Sequence, residues 1–133
     1  MNFVNKIKDL KLSHVLVWTL IVTIIVVIFA SLCLHMSSTR LLSVDFKIFG
    51  RVQGVFFRKF TKQAADQLGV FGYCMNHRDG TVIGTIQGDD QSIPQMQEWL
   101  QKTGSPYSRI ERCEFSNEKI ITNLEFNKFV VKH

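Results

Sequence analysis

The chain has 133 residues, 46% of them apolar and 20% charged, with a formal net charge of +5. That length allows one globular domain and little else. The positive charge is split between residues 1–40, at +3, and residues 41–133, where 12 Lys and Arg face 10 Asp and Glu, so it gives little support to nucleic-acid binding.

The first predicted element is apolar. After a head carrying Lys6, Lys8 and Lys11, residues 15–34 contain no charge and are interrupted only by Thr19, Thr23 and Ser31. A helix of about 20 apolar residues spans the hydrocarbon core of a bilayer. The pattern therefore predicts a basic head and a single-pass transmembrane anchor within residues 1–40. A cleaved signal peptide is the alternative. Its core would be shorter, about 7–15 residues, and would end in a small-x-small site, for which Ser31-Leu32-Cys33 is a poor candidate. The amino-terminal lysines favour a cytosolic amino terminus. Arg40, Lys47 and Arg51 on the other flank nearly cancel that bias, so the basic flanks select no orientation.

Residues 41–133 follow a different rhythm. Val44, Phe46 and Ile48 alternate with Asp45 and Lys47, the period of a half-buried strand. Next comes G-R-V-Q-G-V-F-F-R, residues 50–58, with three residues between its two glycines. A glycine-bearing loop ahead of a helix leaves several backbone N–H groups free to converge on one anion. An arginine in the first helical turn adds a planar fork of donors suited to phosphate or carboxylate. This segment reads as a phosphate cradle.

A helix is expected where Phe57, Phe60/Thr61, Ala64 and Leu68 recur, with Gly69 at its C-cap. Val70 to Asn76 and Thr81 to Gln87 read as two strands joined by a turn at Asp79-Gly80. Ser92-Ile93-Pro94-Gln95 has the form of a capping box with an early proline, so a second helix should begin there and stop near Gly104. Two β-rich runs follow, Ile110–Phe115 and Ile120–Val131. Strand, helix, strand, strand, helix, strand is the split-βαβ, ferredoxin-like plan of the α+β class, an antiparallel sheet with both helices on one face, here with an added terminal strand.

The other chemically capable residues point nowhere specific. Cys33, Cys74 and Cys113 form no C-x-x-C pair; Cys33 lies in the apolar run, and the two in the domain read as small buried thiols. None of the four histidines stands at metal-ligand spacing from Cys, Asp or Glu. Gly80, Gly84 and Gly88 would share one face of a strand and admit a close neighbour. An RNA-binding domain of the same topology would need exposed aromatics on its central strands, and none is seen at Ile110–Phe115, while Phe46 and Phe49 fall on opposite faces.

The runs Phe46–Arg58, Gly72–Val82 (G-Y-C-M-N-H-R-D-G-T-V) and Gly104–Ile110 (G-S-P-Y-S-R-I) closely resemble acylphosphatases, over roughly residues 43–131. The resemblance implies a hydrolase that converts a small acyl phosphate to carboxylate and inorganic phosphate. It places phosphate binding on the loop Arg51, Val52, Gln53, Gly54, Val55, Phe56 and Phe57 and on Arg58. The asparagine that holds the attacking water falls on Asn76. No metal or organic cofactor is implied, and the catalytic domain is expected to be monomeric. Where the family commonly has tryptophan and threonine, this chain has Tyr73 and His77. The alternative is an anion-binding or regulatory module that keeps the cradle and has lost useful turnover.

Overall fold

The computed structural model describes residues 2–36 and 38–133 and divides the chain into two compact units, residues 1–38 and 39–133. The first unit is one α-helix, α1 (Phe3–His35), of 33 residues. At about 1.5 Å per residue it is roughly 50 Å long. An 18-residue stretch within it reaches a mean hydropathy of 2.9, and the helix is long and apolar enough to cross a membrane. Three of its hydroxyl side chains are satisfied within the helix. Ser13, Thr19 and Thr23 each donate their hydroxyl to the carbonyl oxygen three residues back, at 2.8 Å in every case. That arrangement removes the main cost of a hydroxyl in an apolar surrounding.

The second unit runs β1 (Leu41–Arg51), α2 (Phe57–Leu68), β2 (Phe71–Asn76), β3 (Val82–Asp89), α3 (Ser92–Glu98), β4 (Arg109–Ile121) and β5 (Phe129–Lys132). The sheet order is β4-β1-β3-β2-β5. The four strands of the split plan are antiparallel throughout, and the added β5 lies parallel to β2, which makes the sheet mixed. Strand parity builds the core. Val44, Phe46 and Ile48 of β1 point to the helical face and are buried, as are Val82 and Ile86 of β3 and Cys74 of β2. Helix α2 answers with Phe57, Thr61, Ala64 and Ala65. A close approach between strands fixes Gly84. A Cβ there would lie 2.1 Å from the Tyr73 carbonyl oxygen and 2.6 Å from Phe46 Cζ. The expectation for Gly80 and Gly88 does not hold, since Gly80 sits in a turn and a Cβ at either would meet nothing closer than 3.7 Å.

Two local expectations are corrected, and the end of the last helix gains a detail. Ser92 is not the cap of α3. The carboxylate of Asp89 accepts from the backbone N–H of Gln91 at 3.1 Å and of Ser92 at 2.6 Å, so the capping oxygen comes from the end of β3. These bonds, with that of Ser92 foremost, hold the Asp89 carboxyl below its ordinary value. The last helix closes with a wider π turn, Trp99–Thr103, before Gly104. The two β-rich runs divide elsewhere than expected. β4 continues unbroken through residues 116–119, and residues 122–128 form the connection to β5. An extra β4 residue is absorbed between the Ser43–Lys119 and Asp45–Ser116 pairs, where Asn117 adopts φ 51° and its amide donates to Asp45 Oδ2 at 2.8 Å. This is a β-bulge, which inserts a residue into one strand without ending the ladder.

Candidate active site

The loop between β1 and α2 is held from beneath. Val52, Val55 and Phe57 are buried, whereas Gly54 and Phe56 between them face outward. Gly54 (φ 73°) and Phe56 (φ 59°) are both in the left-handed region. Such a conformation is cheap at glycine and costly at phenylalanine, so the buried flanks must impose it. Left-handed residues within a tight loop turn successive N–H groups toward a common concavity. The first helical N–H groups of α2 also lack intrahelical partners, and Phe56, at the N-cap, supplies no side-chain bond to them.

Beside this loop lies a cavity of about 600 Å³, lined in part by Gly54, Phe56, Arg58 and Asn76. Arg58 enters it from the first turn of α2, and its Nη1 donates to the Lys132 carbonyl oxygen at 3.1 Å. That bond ties the guanidinium to β5. Asn76 is the last residue of β2 and shares the parity of Gly72 and Cys74, so its side chain points to the helical face. Its Oδ1 is buried and has no hydrogen-bond partner among the described residues. Lys59 and Lys62 also line the cavity. Asp66 opposes them but is paired with Lys62 at 2.8 Å. The wall is thus cationic in balance, and a cavity of that sign attracts anions.

The structure brings Gly54, Phe56, Phe57, Val52, Arg58 and Asn76 to one cavity and leaves Arg51, Gln53 and Val55 off its wall. Gln53 turns its side chain toward the residue 77–81 turn, and Val55 is buried below. Sequence reasoning missed Lys62, Asp66 and His133. The first two stand four and eight residues after Arg58, one helical face that the periodicity of α2 could have revealed. His133 had no such signal.

His77 lies on the turn beyond Asn76, where its Nδ1 is 2.9 Å from Asp79 Oδ1. Asp79 Oδ2 pairs with Lys47 at 2.7 Å, and Thr81 donates to Oδ1 through both its backbone N–H and its hydroxyl. Led by the Lys47 bond, these contacts hold the Asp79 carboxyl well below the usual carboxylate range. Tyr73 stacks obliquely against Phe126 with centroids 5.8 Å apart and carries Lys132 Nζ 3.8 Å above its ring. All three cysteines are free. Cys74 and Cys113 are separated by β1 and β3, three strand spacings or roughly 14 Å, beyond disulfide reach. Burial pushes the thiols of both up to about 12, the Arg58 charge opposing it at Cys74 and the Glu114 charge adding to it at Cys113.

The acylphosphatase family model matches residues 44–131. The chain belongs to the acylphosphatase family. It is 50% identical over 97 residues to acylphosphatase-2 of Meleagris gallopavo, covering 73% of this chain and 94% of that one. It is 48% identical over 97 residues to acylphosphatase-2 of Homo sapiens, covering 73% and 98%. The solved acylphosphatase of Bacillus subtilis superposes with a TM-score of 0.63 at 30% identity, over 69% of this chain and 99% of that one. The protein is an acylphosphatase, a hydrolase of acyl phosphates, and these relatives do not favour a module without turnover. The family match begins at residue 44, beyond α1.

Proposed function

We propose that this acylphosphatase binds the phosphoryl group of its substrate on the Arg51–Phe57 loop and Arg58, while Asn76 orients the attacking water. The observation that carries this reading is the convergence of Arg58 and Asn76 on one cavity, with the buried Asn76 Oδ1 lacking a partner among the described residues. An amide oxygen accepts a hydrogen bond from water and so aims it, though it is too weakly basic to deprotonate it. Attack on phosphorus relies on positioning and on cancelling charge over the phosphoryl oxygens. Fixed N–H dipoles and one guanidinium supply the second need without reorganising. The carboxylate is already a good leaving group, so no general acid is required.

The binding end of the reaction is served by Arg58, whose second role is structural. The Lys132 carbonyl occupies one of its donors and leaves the others for substrate. The test is hydrolysis of benzoyl phosphate by the full chain in detergent, with Arg58→Ala and Asn76→Ala alongside. Each substitution is expected to lower kcat/KM by ~10²–10³, the usual cost of removing one preorganised charge-stabilising or positioning group. Near-wild-type activity in a folded Arg58→Ala or Asn76→Ala protein would remove that residue from the site.

The reading extends to a single-pass membrane anchor at residues 15–34 and a monomeric catalytic domain at residues 41–133, with a small acyl phosphate as substrate. The length and hydropathy of α1 and the back-bonded hydroxyls within it support the anchor. A protein retained in alkaline-washed membranes with an intact amino terminus by mass is the expected result. Loss of the segment on maturation would favour a signal peptide instead.

A further inference from the structure

We infer that the Gln53 side chain is a brace that ties the phosphate loop to the His77–Thr81 turn and so holds Asn76 in register with that loop. The inference rests on the roles given above to the loop and to Asn76. Gln53 Nε2 donates to the His77 carbonyl oxygen at 2.8 Å and to the Thr81 carbonyl oxygen at 2.9 Å. A primary amide carries two hydrogens, and both are committed here to one turn more than twenty residues away in sequence. The flipped amide would set its oxygen against two carbonyl oxygens, so the chemistry permits only this orientation.

The turn is a closed unit. His77 N–H donates to the Thr81 carbonyl at 2.9 Å, and Gly80 N–H to the His77 carbonyl at 3.2 Å. Within it, the Asp79 carboxylate gathers Thr81 and the His77 ring and is anchored to Lys47 of β1. Removing Gln53 therefore leaves the turn its own shape and its anchor to β1. What is lost is its tie to the loop. Asn76 immediately precedes the turn, so its side chain would drift relative to the phosphoryl group while the cradle stayed intact.

That separation predicts a split in the kinetics. In the full chain in detergent, Gln53→Met keeps the length and removes both donors. The kcat on benzoyl phosphate is expected to fall about tenfold, less than the ~10² that a full 1 Å misplacement can cost. Competitive inhibition by inorganic phosphate should stay within about twofold, because neither Arg58 nor the loop N–H groups are altered. In an Asn76→Ala background, the same Gln53→Met change should lower kcat less than about twofold, since residues acting as a unit are not additive.

Multiplicative losses in the double variant would overturn the brace, as would phosphate affinity falling in step with kcat, or an unchanged kcat in Gln53→Met. Should Gln53→Met fail to fold, Gln53→Asn, which shortens the reach by one methylene, carries the same cycle. Failure of the underlying reading is seen separately. Asn76→Ala alone would then turn over like wild type, whatever Gln53 does.

Discussion

Replacing Asn76 by alanine should lower activity far more than stability, and the structure sets the size of each. Asn76 Oδ1 is buried without a partner among the described residues, and the side chain makes no hydrogen bond that its removal would break. A buried acceptor left unpaired costs ~1–3 kcal/mol, whereas deleting a side chain that does make a hydrogen bond destabilises by about 0.5–1.5 kcal/mol. The Ala variant relieves the first and forfeits none of the second. Against that stands the lost packing of a half-buried side chain at a strand end. A bridging water would also have satisfied part of the cost. The expected change in unfolding free energy is therefore within about 1 kcal/mol of zero. For activity, a water no longer held in line should cost ~10² in kcat, about 2.7 kcal/mol in the barrier. The assay pairs kcat on benzoyl phosphate with the urea midpoint followed by near-UV circular dichroism at constant m. A variant that keeps kcat within about threefold of wild type yet loses more than ~1 kcal/mol would show Asn76 to be a structural strand-end residue.

Four further outcomes follow from particular contacts. Gly84→Ala drives a Cβ against the Tyr73 carbonyl and the Phe46 ring and should cost ~1–3 kcal/mol by overpacking; a urea midpoint within error of wild type would refute that close approach. Asp79→Asn tests the turn by pH. The folded carboxyl is depressed, so its contribution is present above the ordinary carboxylate value near ~3.9 and is lost as pH falls below it; acid unfolding should be less pH-dependent in the variant, and identical profiles would refute the pairing. The raised thiols of Cys74 and Cys113 behave oppositely. Their contribution is complete below the ordinary value of 9.0 and declines as pH rises toward about 12, so both should resist iodoacetamide at pH 8 in the folded protein and react on unfolding. Val22→Arg at the middle of the apolar run should cost ~2.5–3.5 kcal/mol of insertion and reduce the membrane-retained fraction, an effect absent if residues 15–34 do not span.

Much of this was legible in the sequence because it rests on periodicity. Alternation at Val44, Phe46 and Ile48 fixed the buried face of β1, and the recurrence through Phe57, Thr61 and Ala64 fixed that of α2. The loop from Gly50 and the position of Asn76 at a strand end were legible in the same local terms. What escaped depends on partners distant in the chain. The Asp89 cap escaped because Ser92 and Gln95 match the local box while the better acceptor waits at the end of the preceding strand. The unbroken β4 escaped because Ser116-Asn117-Glu118 interrupts the β-rich pattern, and only pairing with Asp45 makes the interruption a bulge. The Gln53 brace joins residues 24 and 28 positions apart, which no window of sequence contains.

Phe56 shows why so few side chains suffice at this site. It is 68% exposed, so it adds little to the core, yet its backbone occupies a region that costs a non-glycine residue about 1–3 kcal/mol. Nothing local relieves that cost. The burial of Val52, Val55 and Phe57 on either side does, since each anchors the chain where the loop must turn. Full burial of such side chains contributes ~1.5–3 kcal/mol apiece, enough to hold one strained residue in place. The consequence is electrostatic. In the proposed phosphate cradle, N–H dipoles fixed by folding would not need to reorganise when charge gathers on the phosphoryl oxygens, which is the condition under which such dipoles accelerate a reaction. Cavity-forming changes beneath the loop, Val52→Ala or Val55→Ala, should therefore impair turnover as well as stability.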